Sequence, residues 1–484
     1  MNNKLLHLLE IQLEKVIELN TTNALDELTG AYLLLNDFPK AINLIERSLK
    51  INQDREYMRS SHYTKMVKYV IRAGDRETFN AIEENIESNY RGIYLAVLDL
   101  KHKNYTKAFK GLSNIDEDDY EFEADITELI KDVLPRSIRL FPIEVLMKGL
   151  PTKSLKNQIL NDYSKLAFKN IIPSKKKEII KIFKKYADKE DKKSYINDYS
   201  ALIFAKENND KKSIKYAEKA CDLRELGLLR DIANIFKQNN DISTAIKVAS
   251  LAVEKSKKID WMHYSFDNDL VFAQSQQSQY LAEHLFLLCD LQNDISNHKD
   301  VVNTVKQIHS AIDNMPEVDH FGEWKIYQYF SFIEFGIKIN DIELVKNIIE
   351  KCLPLESKYA ESLTSNTDTT ILKALSHHTY SLSNKSINQF IKLISKSIND
   401  RGNDFNTLVS WSELLVTLNK TEQARKLTSY LLKSIKNKDD FRTIYDIAPK
   451  HYNLHNSEEI EELFIQIGTL RSTYYLHAVA KSII

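Results

Sequence analysis

Two histidines, His451 and His455, stand four residues apart, the spacing that places two imidazoles on one face of an α-helix. Such a pair can hold a zinc ion when a third ligand lies nearby, as in the His-Glu-x-x-His motif. No third ligand is evident in the surrounding sequence, and Pro449 lies just upstream. We therefore interpret both histidines as packing or surface residues and predict no metal site.

The patterns that mark common enzyme sites are missing from the sequence. No two of the 10 glycines lie within five residues of each other, so neither a P-loop nor a dinucleotide fingerprint can form. No Gly-x-Ser-x-Gly elbow marks a nucleophilic serine, and no Cys-x-x-Cys pair or acidic calcium loop occurs. We expect a protein that is not an enzyme and that needs no cofactor.

A lysine-rich segment is one of two candidate binding regions. Residues 151–220 contain 18 Lys, no Arg and 9 Asp plus Glu, a local charge of +9. Such a segment can bind an acidic protein, an anionic surface or an RNA backbone, or it can simply solvate the outside of helices. The absence of Arg disfavours RNA, because bidentate and stacking contacts favour Arg. The candidate partner-binding residues here are Lys175, Lys176, Lys177, Lys184 and Lys185.

The second candidate region is a dense run of aromatic residues, with Trp324, Tyr327 and Phe330 followed by Phe332 and Phe335. Core packing is the default explanation for such a run. The alternative is an aromatic shelf that binds a peptide, because aromatic residues are favoured as interface anchors. Trp324, Tyr327 and Phe330 are therefore also candidate partner-binding residues.

The elements that position these residues are predicted to be helices. The 484 residues include only 10 Gly and 8 Pro, while 43% are hydrophobic and 28% are charged. With so few breakers, the composition predicts a nearly all-helical chain, and its length favours an array of units over one compact core. The formal net charge of -1 argues against wholesale capture by nucleic acid or an anionic membrane.

Cysteine usage and the N-terminus bear on the compartment. Cys221, Cys289 and Cys352 are widely spaced in apolar helical patterns, so we interpret them as core residues in a reducing compartment. Residues 1–10 lack the apolar core of a signal peptide, and no run of 18 apolar residues occurs. We expect a cytoplasmic protein without membrane insertion.

A six-residue signature recurs along the chain, in which a polar turn precedes a helix start with a small residue. The copies are Asn36–Ala41, Lys103–Ala108, Asn240–Ala245, Asn340–Val345 and Asn419–Ala424. Ala41 and Ala108 are 67 residues apart, and Ala108 and Ala245 are 137 apart, close to two and four units of about 34 residues.

Helical periodicity lies on both sides of each signature, so each unit is predicted to be a helical hairpin. Asp37, Asp241 and Asp341 are suited to cap the second helix. We predict that Ala41, Ala108, Ala245 and Ala424 are buried where the two helices of a hairpin meet.

The unit length, the Asn/Gly-Asp-aromatic turns and the small residues at the second-helix start resemble the tetratricopeptide repeat (TPR) superfamily. The resemblance covers essentially the whole chain, although the first-helix Trp and Leu-Gly pair and the closing Pro of the family are mostly missing. It implies an all-α fold, a right-handed α-solenoid of TPR-like helical hairpins. In TPR-like proteins the first helices line a concave groove, which implies a scaffold that docks a peptide, helix or protein partner.

Step lengths divide the array into N-terminal repeats at 1–254, an irregular segment at 255–325, and C-terminal repeats with a capping helix at 326–484. The cap is predicted to pack Leu476, Ala480 and Ile483 inward, with no partner helix after it. Two other functions stay open. One is a ligand- or peptide-responsive regulator, marked by a closed Asn- and Arg-lined pocket, and the other is RNA or anionic-partner binding through 151–220.

Overall fold

The structure is a computed structural model that describes residues 3–52, 56–112, 129–130, 147, 153–264, 269–317, 319–359, 363, 365–401, 405–435 and 441–483. Every regular element within these ranges is helical. The α-helices are α1 (Asn3–Leu19), α2 (Thr22–Leu34), α3 (Phe38–Ile51), α4 (Glu56–Ala73), α5 (Arg76–Ile82), α6 (Ser88–Lys101), α7 (Tyr105–Leu112), α8 (Lys153–Lys169), α9 (Lys176–Tyr186), α10 (Lys189–Lys206), α11 (Asp210–Ala217), α12 (Asp222–Gln238), α13 (Ile242–Ser256), α14 (Leu270–Asp294), α15 (His298–Asp313), α16 (Asp319–Lys338), α17 (Ile342–Lys358), α18 (Thr367–His378), α19 (Asn384–Arg401), α20 (Phe405–Thr417), α21 (Thr421–Ser434), α22 (Phe441–Leu454), α23 (Ser457–Ile467) and α24 (Thr469–Ile483). No helix in these ranges is both long and apolar enough to cross a membrane.

The recurring signature folds as one hairpin turn. In each copy the first residue adopts a left-handed conformation, as at Asn240 (φ 61°), and the next amide donates to the carbonyl five residues back, as from Asp241 to Phe236 at 2.9 Å. This bond is the mark of a Schellman helix end, and Asn tolerates the left-handed region better than most residues because its short side chain bonds locally. Asp241 then caps the second helix by accepting from the Thr244 amide at 3.0 Å.

The same turn occurs eight times within the described ranges, at residues 36, 74, 103, 208, 240, 296, 340 and 419. The predicted caps Asp37, Asp241 and Asp341 each accept a backbone amide bond. The four signature alanines, Ala41, Ala108, Ala245 and Ala424, are fully buried, which confirms that prediction. Small side chains at these positions let the two helices of a hairpin approach closely. The TPR-like hairpin fold is thereby confirmed.

The chain divides into two compact units. The terminal unit holds residues 1–161 and 415–484, and the central unit holds residues 162–414, with the boundaries falling inside α8 and α20. This division follows packing, whereas the predicted three-part division follows repeat register and stays a prediction.

The central unit is a stack of hairpins. The pairs α10–α11, α12–α13, α14–α15 and α16–α17 each pack together, and the second helix of each pair contacts the first helix of the next. The first helices also contact one another in succession from α10 to α18. Much of the stretch 255–325, predicted to be irregular, forms the long hairpin α14–α15, which follows a 3-10 turn at Trp261–Tyr264.

The terminal unit brings the two ends of the chain together. The last helix, α24, packs against α1 and α2 as well as against α22 and α23. It buries Leu476 and Ala480 as predicted, but Ile483 is 45% exposed. The sequence does not predict the contacts of α24 with α1 and α2, which lie at the other end of the chain.

The cysteine prediction holds only in part. Cys289 and Cys352 are buried, and burial raises the pKa of each thiol. Cys221 is exposed at the N-cap of α12 and is not a core residue.

Candidate functional site

The lysine-rich segment places part of its charge in one exposed row on α9. This helix buries Ile179 and Phe183, so the opposite face is turned to solvent. Lys177, Lys181 and Lys184 lie on that face at positions i, i+4 and i+7, and all three are exposed. We call these three residues the lysine row. None has a hydrogen-bond or ion-pair partner among the described residues, so the row is a free patch of positive charge.

The other lysines predicted in this region are already engaged. Lys175 forms an ion pair with Glu178 at 2.8 Å, and the Lys176 ammonium lies 3.7 Å from the Phe204 ring centroid. The Lys185 ammonium lies 4.9 Å from the centroid of the neighbouring Tyr186 ring. Lys181, which we did not single out from the sequence, completes the row because it lies one turn from both Lys177 and Lys184.

Lysines of α11 and its C-terminal end lie close to Lys176, around the Phe204 and Tyr216 rings. The Lys212 ammonium, from α11, lies 5.2 Å from the same ring as Lys176, and Phe204 stacks on Tyr216 with centroids 5.4 Å apart. The Lys219 ammonium lies 4.2 Å from the Tyr216 centroid. Cation–π contacts therefore hold several positive charges at the side of the central unit that carries α10 and α11.

The aromatic region is mostly core. Phe330 is only 6% exposed and Phe332 is fully buried, so neither ring can anchor a partner, and the shelf interpretation is wrong for Phe330. Trp324 and Tyr327 are half-buried, and the Trp324 ring meets Phe272 edge to face with centroids 6.2 Å apart. The aromatic rings of α16 therefore mainly fill the space between α16 and α14.

The first helices of the central unit are joined by ion pairs. Asp290 on α14 accepts from Lys237 on α12 at 2.8 Å and from Lys338 on α16. Burial alone would raise the pKa of Asp290, but the bonds from the two lysines hold it below its usual value. These three charges are thus paired internally, in contrast to the lysine row.

A cavity of about 560 Å³ lies beside α3 in the terminal unit, lined in part by Asn20, Asn43, Ile42 and Arg47. Arg47 is held there by bonds to the Asn20 side chain at 2.9 Å and to the Ile17 carbonyl at 3.1 Å. This depression has Asn and Arg in its lining, but it is open to solvent and also contains Glu46, whereas a closed pocket is predicted for a ligand-responsive regulator.

His451 and His455 belong to one polar cluster, in which His451 is buried and His455 is half-buried. Pro449 lies inside α22, yet His451 and His455 still share a face, with parallel rings whose centroids are 3.7 Å apart. The Ser429 hydroxyl lies 3.1 Å from His451 Nε2 and 3.2 Å from His455 Nε2. His451 Nδ1 lies 3.0 Å from the buried Tyr475 hydroxyl.

Lys4 connects this cluster to the start of the chain. Lys4 of α1 donates to the carbonyls of Tyr452 and His455 at the end of α22, and its ammonium lies 4.0 Å from the Tyr452 centroid. Positive charge at this point opposes a bound metal cation. Across the described residues, no group of three or more His, Cys, Asp or Glu side chains is arranged to hold a metal.

A second polar cluster joins α2 to the last helices. Glu27 accepts from His477 Nδ1 at 2.7 Å and from the Tyr445 hydroxyl at 2.7 Å. Burial, and then the Glu27 carboxylate, raise the pKa of Tyr445. The His477 ring lies directly over Gly30, where an added Cβ would come within 2.6 Å of it. The glycine is needed here for close approach of α2 and α24.

Comparison with known proteins gives no family assignment. No model of a known protein family matches the chain. No curated protein matches it either.

Solved structures with similar helical arrays do match along most of the chain. One is a circular tandem repeat protein with a novel repeat topology, 12% identical, covering 98% of this chain and 97% of that chain, with a TM-score of 0.23. The P58(IPK) TPR domain is 12% identical, covering 94% and 98%, with a TM-score of 0.18. Yeast Tom70 is 13% identical, covering 95% and 95%, with a TM-score of 0.22. At these TM-scores, the fold assignment depends on the hairpin turns and packing described above.

Proposed function

We propose that the protein is a non-catalytic interaction scaffold that docks an acidic segment of a protein partner on the lysine row of α9. The observation that carries this proposal is the row itself, three exposed ammonium groups on one helix face with no internal partner. Like charges at i and i+4 destabilise an isolated helix, so the row costs stability that a bound anionic partner would recover.

The chemistry of the region favours protein carboxylates over RNA. Residues 151–220 contain no Arg, and the aromatic rings of Phe204 and Tyr216 are already stacked on each other. Sequence-tolerant binding of single-stranded RNA relies on free aromatic faces and Arg stacking. A carboxylate needs only the point charge of an ammonium group.

The test uses a fluorescent helical peptide with Glu at positions i, i+4 and i+7, titrated with the full chain in an anisotropy assay. Exposed ion pairs contribute about 0.2 to 1 kcal/mol each, and reversal adds repulsion of similar size. The triple variant Lys177→Glu, Lys181→Glu, Lys184→Glu should therefore weaken binding by at least about 10-fold.

A matched control reverses three other exposed lysines of the central unit that have no partner among the described residues, Lys299, Lys306 and Lys346. This control should bind the peptide within about threefold of the unchanged protein, because screening at physiological salt limits charge effects to about 8 Å. Equal losses in both triple variants would contradict docking at the row. Tighter binding of a single-stranded RNA of equal charge would favour the RNA function.

A further inference from the structure

The hydrogen bonds of the histidine cluster have only one consistent order when both rings are neutral. His455 Nδ1 must donate, because its partner at 2.9 Å is the His451 carbonyl, and His455 Nε2 must then accept from the Ser429 hydroxyl. Ser429 has a single proton, so it accepts from His451 Nε2. His451 Nδ1 is left to accept from the Tyr475 hydroxyl.

This order satisfies every polar group in the chain from Tyr475 to the His451 carbonyl, and one extra proton breaks it. A protonated His455 has no acceptor nitrogen, so the Ser429 oxygen would accept from both rings and the Ser429 proton would lose its acceptor. A protonated His451 would donate to the Tyr475 oxygen, and the proton of the buried Tyr475 hydroxyl would lose its acceptor. Buried donors left without acceptors are strongly destabilising.

The charged groups around the cluster also oppose an added proton. Lys4 comes from α1, and Arg425 and Lys433 come from α21, while Glu459 on α23 is the nearby carboxylate and is already bonded to Arg425. Lys4 is the residue that connects the cluster to the start of the chain, through the carbonyls at the end of α22. New positive charge on either ring therefore repels the group that joins the first helix to the last ones.

We infer that the Tyr475–His451–Ser429–His455 chain is a proton-sensitive latch, in which one added proton breaks the donor order and frees α1 from the last helices of the chain. This inference is independent of the lysine row, which lies in the other unit.

The pH range of the latch follows from burial. Burial first, and then the charges of His455, Lys4, Lys433 and Arg425, lower the pKa of His451 from its usual 6.5 to about 2. Above pH 6.5 the ring is neutral whether the latch is closed or open, so the closed state keeps its full stability. Below pH 6.5 only the open state takes up a proton, so closing is disfavoured tenfold per pH unit, or about 100-fold at pH 4.5.

The test is amide hydrogen exchange of the full chain at pH 7.0 and 4.5, corrected for intrinsic exchange rates. Protection of α1 and α24 should fall by up to about 100-fold at the lower pH. In the double variant His451→Gln, His455→Gln, the fall should be less than tenfold, because Gln keeps a polar group but does not titrate. His284→Gln replaces a buried histidine of the central unit and should leave the fall unchanged.

A chemical cross-link decides the case in which the double variant does not fold. The side-chain tips of His7 on α1 and Glu461 on α23 lie 3.1 Å apart, so the cysteines of a His7→Cys, Glu461→Cys variant, in a Cys221→Ser background, can be joined by a short bis-maleimide linker. The cross-linked protein should lose the acid effect. Unchanged protection at pH 4.5 in the original chain, an equal fall in the double variant, or an equal fall in the cross-linked protein would each overturn the latch.

Discussion

Replacing Gly30 by Ala should destabilise the terminal unit, although Ala is the better helix former. A Cβ at this position would lie 2.6 Å from His477 Cε1 and 2.8 Å from Nε2, well inside ordinary contact distance. His477 cannot move away without losing its bond to Glu27 at 2.7 Å. The helix gains about 1 kcal/mol from the substitution, whereas overpacking costs about 1 to 3 kcal/mol and the broken hydrogen bond about 1 kcal/mol. The expected net loss is about 1 to 3 kcal/mol.

Gly227 on α12 provides the matched control, because it is also a glycine within a helix but has no atom within 4 Å of its added Cβ. Gly227→Ala should therefore stabilise the protein by about 1 kcal/mol. The measurement is urea unfolding followed by far-UV circular dichroism, combined with hydrogen exchange in α2 and α24. If Gly30→Ala is as stabilising as Gly227→Ala, the close packing of α2 against α24 is refuted.

Two further predictions concern the hairpins. Ala245 is fully buried, so Ala245→Arg forces a charge into a close-packed site and should lower the free energy of unfolding by about 3 to 5 kcal/mol. An unchanged thermal midpoint would mean that the hairpin register is wrong. Asn240 has φ 61°, so Asn240→Gly should preserve or raise stability, while Asn240→Val should lower it by about 1 to 3 kcal/mol. The reverse order of the two variants in urea unfolding would contradict the left-handed turn.

The hairpins could be predicted from the sequence because their turn chemistry is local. Asn240 and Asp241 supply the left-handed residue and the helix cap within two positions, and the following alanine marks the close contact of the two helices. The turn at Ser296 uses the same backbone geometry, but Ser replaces the expected Asn, and for this reason the α14–α15 hairpin was not predicted. A left-handed Ser has no distinctive local signal.

The candidate sites show a second limit. The exposed row of Lys177, Lys181 and Lys184 follows from helical spacing and could be read from sequence once α9 was placed. Whether Lys176 is engaged and whether Phe330 is buried depend on residues far away in sequence, such as Phe204 for Lys176. Periodicity alone does not identify those residues. The pairing of α24 with α1 and α2 joins residues about 450 positions apart, and no local pattern encodes it.

The histidine pair illustrates the same point. Its i, i+4 spacing favours packing or surface residues over a metal site, but the spacing could not reveal Ser429 and Tyr475 as partners. The donor order that makes the cluster sensitive to protons depends on three helices that meet only in the folded terminal unit. Burial and hydrogen-bond order, not residue type, determine what these histidines can do.

The most direct test of the scaffold proposal is zero-length carbodiimide cross-linking of the Glu-bearing helical peptide to the full chain, followed by mass spectrometry. The reaction joins a carboxylate to an ammonium group only where the two are in contact. The proposal predicts that the cross-links fall on Lys177, Lys181 and Lys184 and disappear in high salt. Cross-links spread equally over Lys299, Lys306 and Lys346, or none above the level of a charge-neutral peptide, would contradict it.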